Sequence, residues 1–200
     1  MGYCVSLSNL FNQRFSGLRV RGKRGKGIVG LCPINEANLC DGVFKGTELL
    51  LSGGKYGIGS DSNVRISLTE ELRLLEYSQR LVRKERNVMT SKTGSVGRAL
   101  YVDSLAGGTQ ALGRKSGSIV PGNWADLLTL DAGALTLSGC TEDEILDRWI
   151  FSGDDSLVCE VWSAGRQMVV DLSLIHISEP TRRTPLAYAL FCVKKKDGGG

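Results

Sequence analysis

Asp61 closes the run KYGIGSDS (55–62), flanked by Ser60 and Ser62. The four residues before Ser60 form a short apolar stretch that reads as a buried strand, so Asp61 falls just past its C-terminal end. In parallel α/β folds that end of the strands faces the ligand site. An aspartate there can hold a metal ion and exchange a proton with water activated by it. Aspartate also caps turns by bonding its own backbone, and the motif alone leaves both readings open. Catalytic zinc takes three protein ligands, with histidine prominent. This chain has a single histidine, His176. It carries no HxH, HExxH or Cys/His cluster, and no GxSxG or phosphate-binding glycine loop. Asp61 is therefore the one candidate catalytic and metal-binding residue, with most of a metal site missing around it.

The elements that must position Asp61 lie within residues 27–171. GIVGLCP (27–33) is an apolar run ending at a proline and predicts a buried strand. NEANLCDG reads as a loop, followed by an apolar patch at Thr47–Leu51. From Ser67 to about Val88 the spacing predicts a helix that opens with a capping box, Ser67 and Glu70. Its core face is expected to comprise Leu68, Leu72, Leu75, Gln79 and Val82, with Glu76 and Arg80 paired one turn apart. A weaker helix follows over Val96–Leu112, interrupted by Gly107 and Gly108. PGNWADLLTLD (121–131) reads as a turn and a strand, TEDEILDRWIF as a short helix with acids in its first turn. LVCEVWSAGRQMVVD (157–171) reads as a hairpin about Ser163-Ala164-Gly165. Strand, helix, strand, helix and then β-structure fits the end of a parallel α/β barrel with a small appended sheet.

Charge and cysteines narrow the setting. The formal charge is +4, but residues 27–171 hold 14 basic and 19 acidic groups. The positive character sits at the ends, in 1–26 and 172–200, and the cluster RVRGKRGKG lacks the interleaved aromatics of a nucleic-acid surface. No nucleic-acid partner is expected. No run of 18 apolar residues exists, so no membrane partner is expected either. Six cysteines without a CxxC pair suggest neither a zinc knuckle nor a disulfide framework, and a cytoplasmic setting is expected.

GLCPINEANLCDGVF, GIGSDSNVRISLTEELRLLEYSQRL, GRALY, ALGRKSG and PGNWADLLTLD together resemble the C-terminal part of the N-formimidoyl-L-glutamate deiminases, a family of the amidohydrolase superfamily. SDS after a strand and PGxxADLLxLD are superfamily-wide, whereas CPxxEANLxDG with LEYSQRL is more specific. The resemblance implies a (β/α)8 barrel with an appended β-subdomain, binding one zinc ion. It places GIVGLCP on barrel strand seven and GIGSDS on strand eight, each followed by its helix. Asp61 then matches the family's last metal ligand, which also carries the proton from metal-activated water to departing ammonia. An HxH, a further ligand histidine and an assisting histidine have no counterpart here. Cys32, Pro33, Glu36 and Asn38 match the strand-seven loop motif and read first as loop shape. Arg65 suits a substrate carboxylate and equally a surface charge beside the helix. Asn35, Cys40 and Lys45 depart from the pattern, standing where a small polar residue, a glycine and a proline are expected.

The resulting expectation is a chain in four parts. Residues 1–26 are an unassigned basic segment, 27–115 the C-terminal part of the hydrolase barrel, and 116–171 a segment of the appended β-subdomain. Residues 172–200 resemble a translated sequencing-library adapter, which would remove His176 from consideration. By resemblance the whole enzyme hydrolyses the formimidoyl C–N bond of a small-molecule substrate, N-formimidoyl-L-glutamate, to N-formyl-L-glutamate and ammonia in histidine degradation, as a homodimer. This chain alone is expected to be inactive. A nucleobase- or triazine-type deaminase of the same superfamily, or a non-catalytic remnant, are the alternatives.

Overall fold

The computed structural model describes residues 5–6, 27–90, 94–170 and 173–174. They form a mixed α/β chain with one parallel and one antiparallel sheet. Strand β1 (Val5–Ser6) lies beside β2 (Ile28–Leu31), and β2 beside β3 (Lys55–Ile58), all parallel. In register, Val29 faces Val5 on one side and Tyr56 on the other. Strands β4 (Leu127–Leu130), β5 (Val158–Ser163), β6 (Arg166–Val170) and β7 (Ser173–Leu174) pair antiparallel in that order. Apart from β1 and β7, the segments 1–26 and 172–200, with His176 and the adapter-like tail, lie outside the described residues. Among the described residues no helix is long and apolar enough to cross a membrane.

Two short helices occupy the connection read from sequence as a loop and an apolar patch. Helix α1 (Pro33–Asn38) starts on a proline, whose missing N–H costs nothing in a first turn. Helix α2 (Gly46–Leu51) is held by the Gln79 side chain, which accepts the Gly46 amide at 3.2 Å and donates to the Phe44 carbonyl at 2.6 Å.

Helix α3 (Leu68–Arg83) begins where the Ser67 signal places it, with Ser67 Oγ accepting the Glu70 amide at 3.3 Å. The other half of the capping box is absent: the Glu70 carboxylate pairs with Arg65 instead. Asp155, from a 3-10 turn, does the remaining capping by accepting the Leu68 and Thr69 amides at 3.0 and 3.2 Å. These donors would otherwise be orphaned at a helix start. The helix ends at Lys84 in the left-handed region, earlier than the expected Val88. The cause is Glu76, fully buried, whose carboxylate accepts the Val88 and Met89 amides and the Arg80 guanidinium. Leu72, Leu75 and Gln79 are buried as expected, but Val82 is 62% exposed and leaves the core face to Glu76.

Helix α4 (Val96–Leu112) runs unbroken through Gly107 and Gly108, contrary to the expected interruption. Those glycines let it press on β3, because a Cβ at Gly107 would fall 1.7 Å from the Tyr56 carbonyl oxygen. Helix α5 (Glu144–Phe151) follows, clasped to α3 by Arg73, which donates to the Ile150 and Gly153 carbonyls at 2.7 and 2.6 Å. The core collects Leu31, Tyr56, Ile58, Leu72, Leu75, Leu100 and Ile150 between the parallel sheet and these helices.

The β5–β6 hairpin forms as read, turning at Ala164 and Gly165 with φ of 52° and 76°. Two positive φ values are the mark of a tight hairpin turn. Asp126, from the PGNWADLL run, accepts the Ala164 amide at 2.8 Å and lies 3.4 Å from Arg114, which stacks over Trp124.

Candidate functional site

Strands β2 and β3 run parallel, so both connections leave from the same end of the sheet. The ladder extends one bond past β3, the Gly59 amide donating to the Leu31 carbonyl at 2.9 Å. Beyond it the chain turns at once. The Asn63 amide donates to the Ser60 carbonyl at 3.1 Å, and Asp61 takes a left-handed φ of 47°. That conformation costs most L-residues about 1–2 kcal/mol, and Asp is one of the few that visit it. Asp61 is exposed, and its carboxylate meets no hydrogen-bond or ion-pair partner among the described residues.

The neighbouring wall is the β2–α1 connection. The Glu36 carboxylate accepts the Cys32 amide at 2.9 Å, while the Glu36 amide returns a bond to the Cys32 carbonyl. Pro33 is buried. Cys32, Pro33 and Glu36 thus shape the loop, as their motif suggested, and Asn38 is exposed. From α3, Glu71 accepts the Ile34 amide at 2.8 Å. Asn35 is buried, and its Oδ1 accepts from the Ser62 hydroxyl at 3.4 Å, joining the two loops beside Asp61.

Glu71 is 2% exposed, and its Oε1 has no partner among the described residues. Burial pushes its carboxyl up to about 7 against the opposing Ile34 amide bond, and the charges of Glu36 and Glu70 add to the rise. Glu36 is raised too, by burial first, with the Cys32 bond opposing and Asp41 adding. Arg65 is engaged by Glu70 and mostly exposed.

Among the described residues no three His, Cys, Asp or Glu side chains are placed to hold a metal ion. Asp61 is available as one donor of such a set and does not form one alone. Sequence reading missed Glu71 and the Asn35–Ser62 link. Glu71 and Ile34 lie 37 positions apart and Ser62 and Asn35 lie 27 apart, so no local spacing announces either contact.

Comparison with known proteins places this geometry in a family. The model of the amidohydrolase family matches residues 3–168, taking in most of the segment 1–26. Over 149 residues the chain is 48% identical to the formimidoylglutamate deiminase of Pseudomonas aeruginosa, covering 74% of this chain and 33% of that protein. Among solved structures it is similar to an amidohydrolase from Brucella melitensis, with 45% identity, a TM-score of 0.69, and 74% and 32% of the two chains covered. It is also similar to a zinc-bound adenosine deaminase from Xanthomonas campestris, with 26% identity, a TM-score of 0.64, and 76% and 34% covered. The chain spans about a third of the length of these relatives. With a family match across most of its length and a carboxylate exposed at the C-terminal end of its parallel strands, this chain belongs to the amidohydrolase family.

Proposed function

We propose that this chain supplies the C-terminal part of a deiminase that hydrolyses N-formimidoyl-L-glutamate to N-formyl-L-glutamate and ammonia. In this reading β2 and β3 are strands seven and eight of a (β/α)8 barrel, and β4–β7 belong to the appended β-subdomain. The observation that carries it is Asp61, a solvent-facing carboxylate held in a left-handed turn just past a parallel strand. The 48% identity to a formimidoylglutamate deiminase supports this choice of substrate.

A zinc ion, when bound, supplies Lewis acidity and brings the pKa of water toward neutrality. Asp61 would hold one ligand position, and the described residues place no companion donors beside it. Water would add to the formimidoyl carbon, the Asp61 carboxylate taking one of its protons and passing it to the imine nitrogen. The hydroxyl of the resulting adduct then gives up its proton, again by way of Asp61, to the same nitrogen, so that the C–N bond breaks, the formyl C=O forms and ammonia leaves. The substrate is a small molecule, the setting cytoplasmic, and the whole enzyme a homodimer. The 200-residue chain alone is inactive.

The test is a chimera in which residues 27–171 replace the matching third of the Pseudomonas aeruginosa relative. Ammonia release from N-formimidoyl-L-glutamate, lost in D61N, is the expected result. Release from adenosine instead, in keeping with the zinc-bound adenosine deaminase relative, would move the assignment to a nucleobase-type deaminase.

A further inference from the structure

The two loops that flank the candidate site are tied together at consecutive residues. Ile34 gives its amide to Glu71, and Asn35 next to it takes the Ser62 hydroxyl. Ser62 follows Asp61 directly, and Glu71 sits in the first turns of the helix that the Asp61 loop leads into. The chain therefore closes a ring: from β2 into α1, across Asn35–Ser62 to the Asp61 turn, on into α3, and back through Glu71 to α1. We infer that Asn35 and Glu71 are positioning residues for Asp61, Glu71 fixing the first turn of α1 and Asn35, on that helix, holding Ser62 and so the Asp61 turn.

The left-handed region costs Asp less than most residues but still needs support from its surroundings. Two backbone bonds, Gly59 to Leu31 and Asn63 to Ser60, brace the turn. The described cross-link from a side chain of this turn to the neighbouring loop is Ser62–Asn35. Asn35 can serve only if α1 keeps its place, and α1 is six residues long, too short to hold itself. One hydrogen bond that anchors it from outside comes from Glu71, a buried carboxylate on the long helix α3, which is itself fixed by Arg73 and Asp155. A carboxylate buried at 2% exposure with one oxygen unpartnered is costly to keep for packing alone. Holding the Ile34 amide is the use the structure shows for it.

This inference rests on Asp61 being the functional carboxylate, but its test needs neither metal nor substrate, so the two readings fail separately. Hydrogen–deuterium exchange on the full 200-residue chain follows the segments 33–38, 59–63 and, as a reference, α4. S62A changes an exposed residue and leaves the core intact. Losing one hydrogen bond is expected to speed exchange in 59–63 by roughly three- to tenfold, with α4 unchanged. N35A gives the same increase, and N35A with S62A gives no more than either alone, because both remove one link. S62T, which keeps the hydroxyl, returns the parental rate. E71L speeds exchange in both 33–38 and 59–63, while E71Q, which keeps an acceptor for the Ile34 amide, does not. Unchanged exchange in 59–63 for both S62A and N35A overturns the proposal. So does an E71L effect spread evenly into α4, or one that E71Q reproduces in full.

Discussion

Gly107 of α4 lies so close to the Tyr56 carbonyl of β3 that a methyl group at Gly107 would sit 1.7 Å from the oxygen. The obstacle is backbone, paired in the parallel sheet to Val29, and cannot swing aside as a side chain would. G107A must push the helix off the sheet at the centre of the core. Overpacking of this kind costs about 3 kcal/mol or more. We expect a large drop in the urea midpoint, and a parental midpoint would show that helix and sheet can separate at little cost.

Glu71 makes stability depend on pH in an unusual direction. Its carboxyl is held at about 7 in the folded chain against an ordinary 4.5, so the folded state binds the extra proton between those values. Stability from this group is therefore full below about 4.5 and declines as pH rises toward and past 7, by roughly 3 kcal/mol in all. Glu36, also raised, acts in the same direction. Urea unfolding of the parent at pH 5 and pH 8 should show the lower stability at pH 8, and E71Q should remove most of the difference. Equal slopes for parent and E71Q would rule Glu71 out as the source.

Ala164 occupies the first position of the β5–β6 turn at φ 52°, where a Cβ is unfavourable. Asparagine and glycine suit that position. A164G or A164N is expected to stabilise the chain by about 1 kcal/mol, read as a raised melting temperature. Destabilisation by both would mean that the turn conformation is set otherwise.

Metal content separates the chain from the whole enzyme it is proposed to belong to. The described residues offer Asp61 without companion ligands, so the purified 200-residue chain should hold well under one zinc per molecule by elemental analysis. The chimera should hold one, and D61A in the chimera should lower zinc affinity by at least tenfold, as loss of a ligand does. A tightly held zinc in the isolated chain would show that it carries a metal site of its own.

Much of the local architecture was legible because its causes are local. The capping serine at 67, the leucines of α3, the apolar runs at β2 and β3, and the hairpin about Ala164 and Gly165 each announce themselves within a few residues. Where the reading went astray, distant partners had decided. Glycines that look like a helix break in α4 are a contact surface, since β3 presses against them. Helix α3 stops early because Glu76 draws Val88 and Met89 back onto it, and Glu70 leaves the capping box for Arg65.

The sequence by itself determined the family, the strand that leads up to Asp61, and the lack of companion histidines outside position 176, because residue types and short motifs carry that information directly. Only the tertiary structure decided that Asp61 is left-handed and exposed, that Asn35 meets Ser62 in its turn, and that Glu71 holds the Ile34 amide. Those relations join residues 27 and 37 positions apart through single hydrogen bonds, and a hydrogen bond across such a distance leaves no periodic trace in the chain.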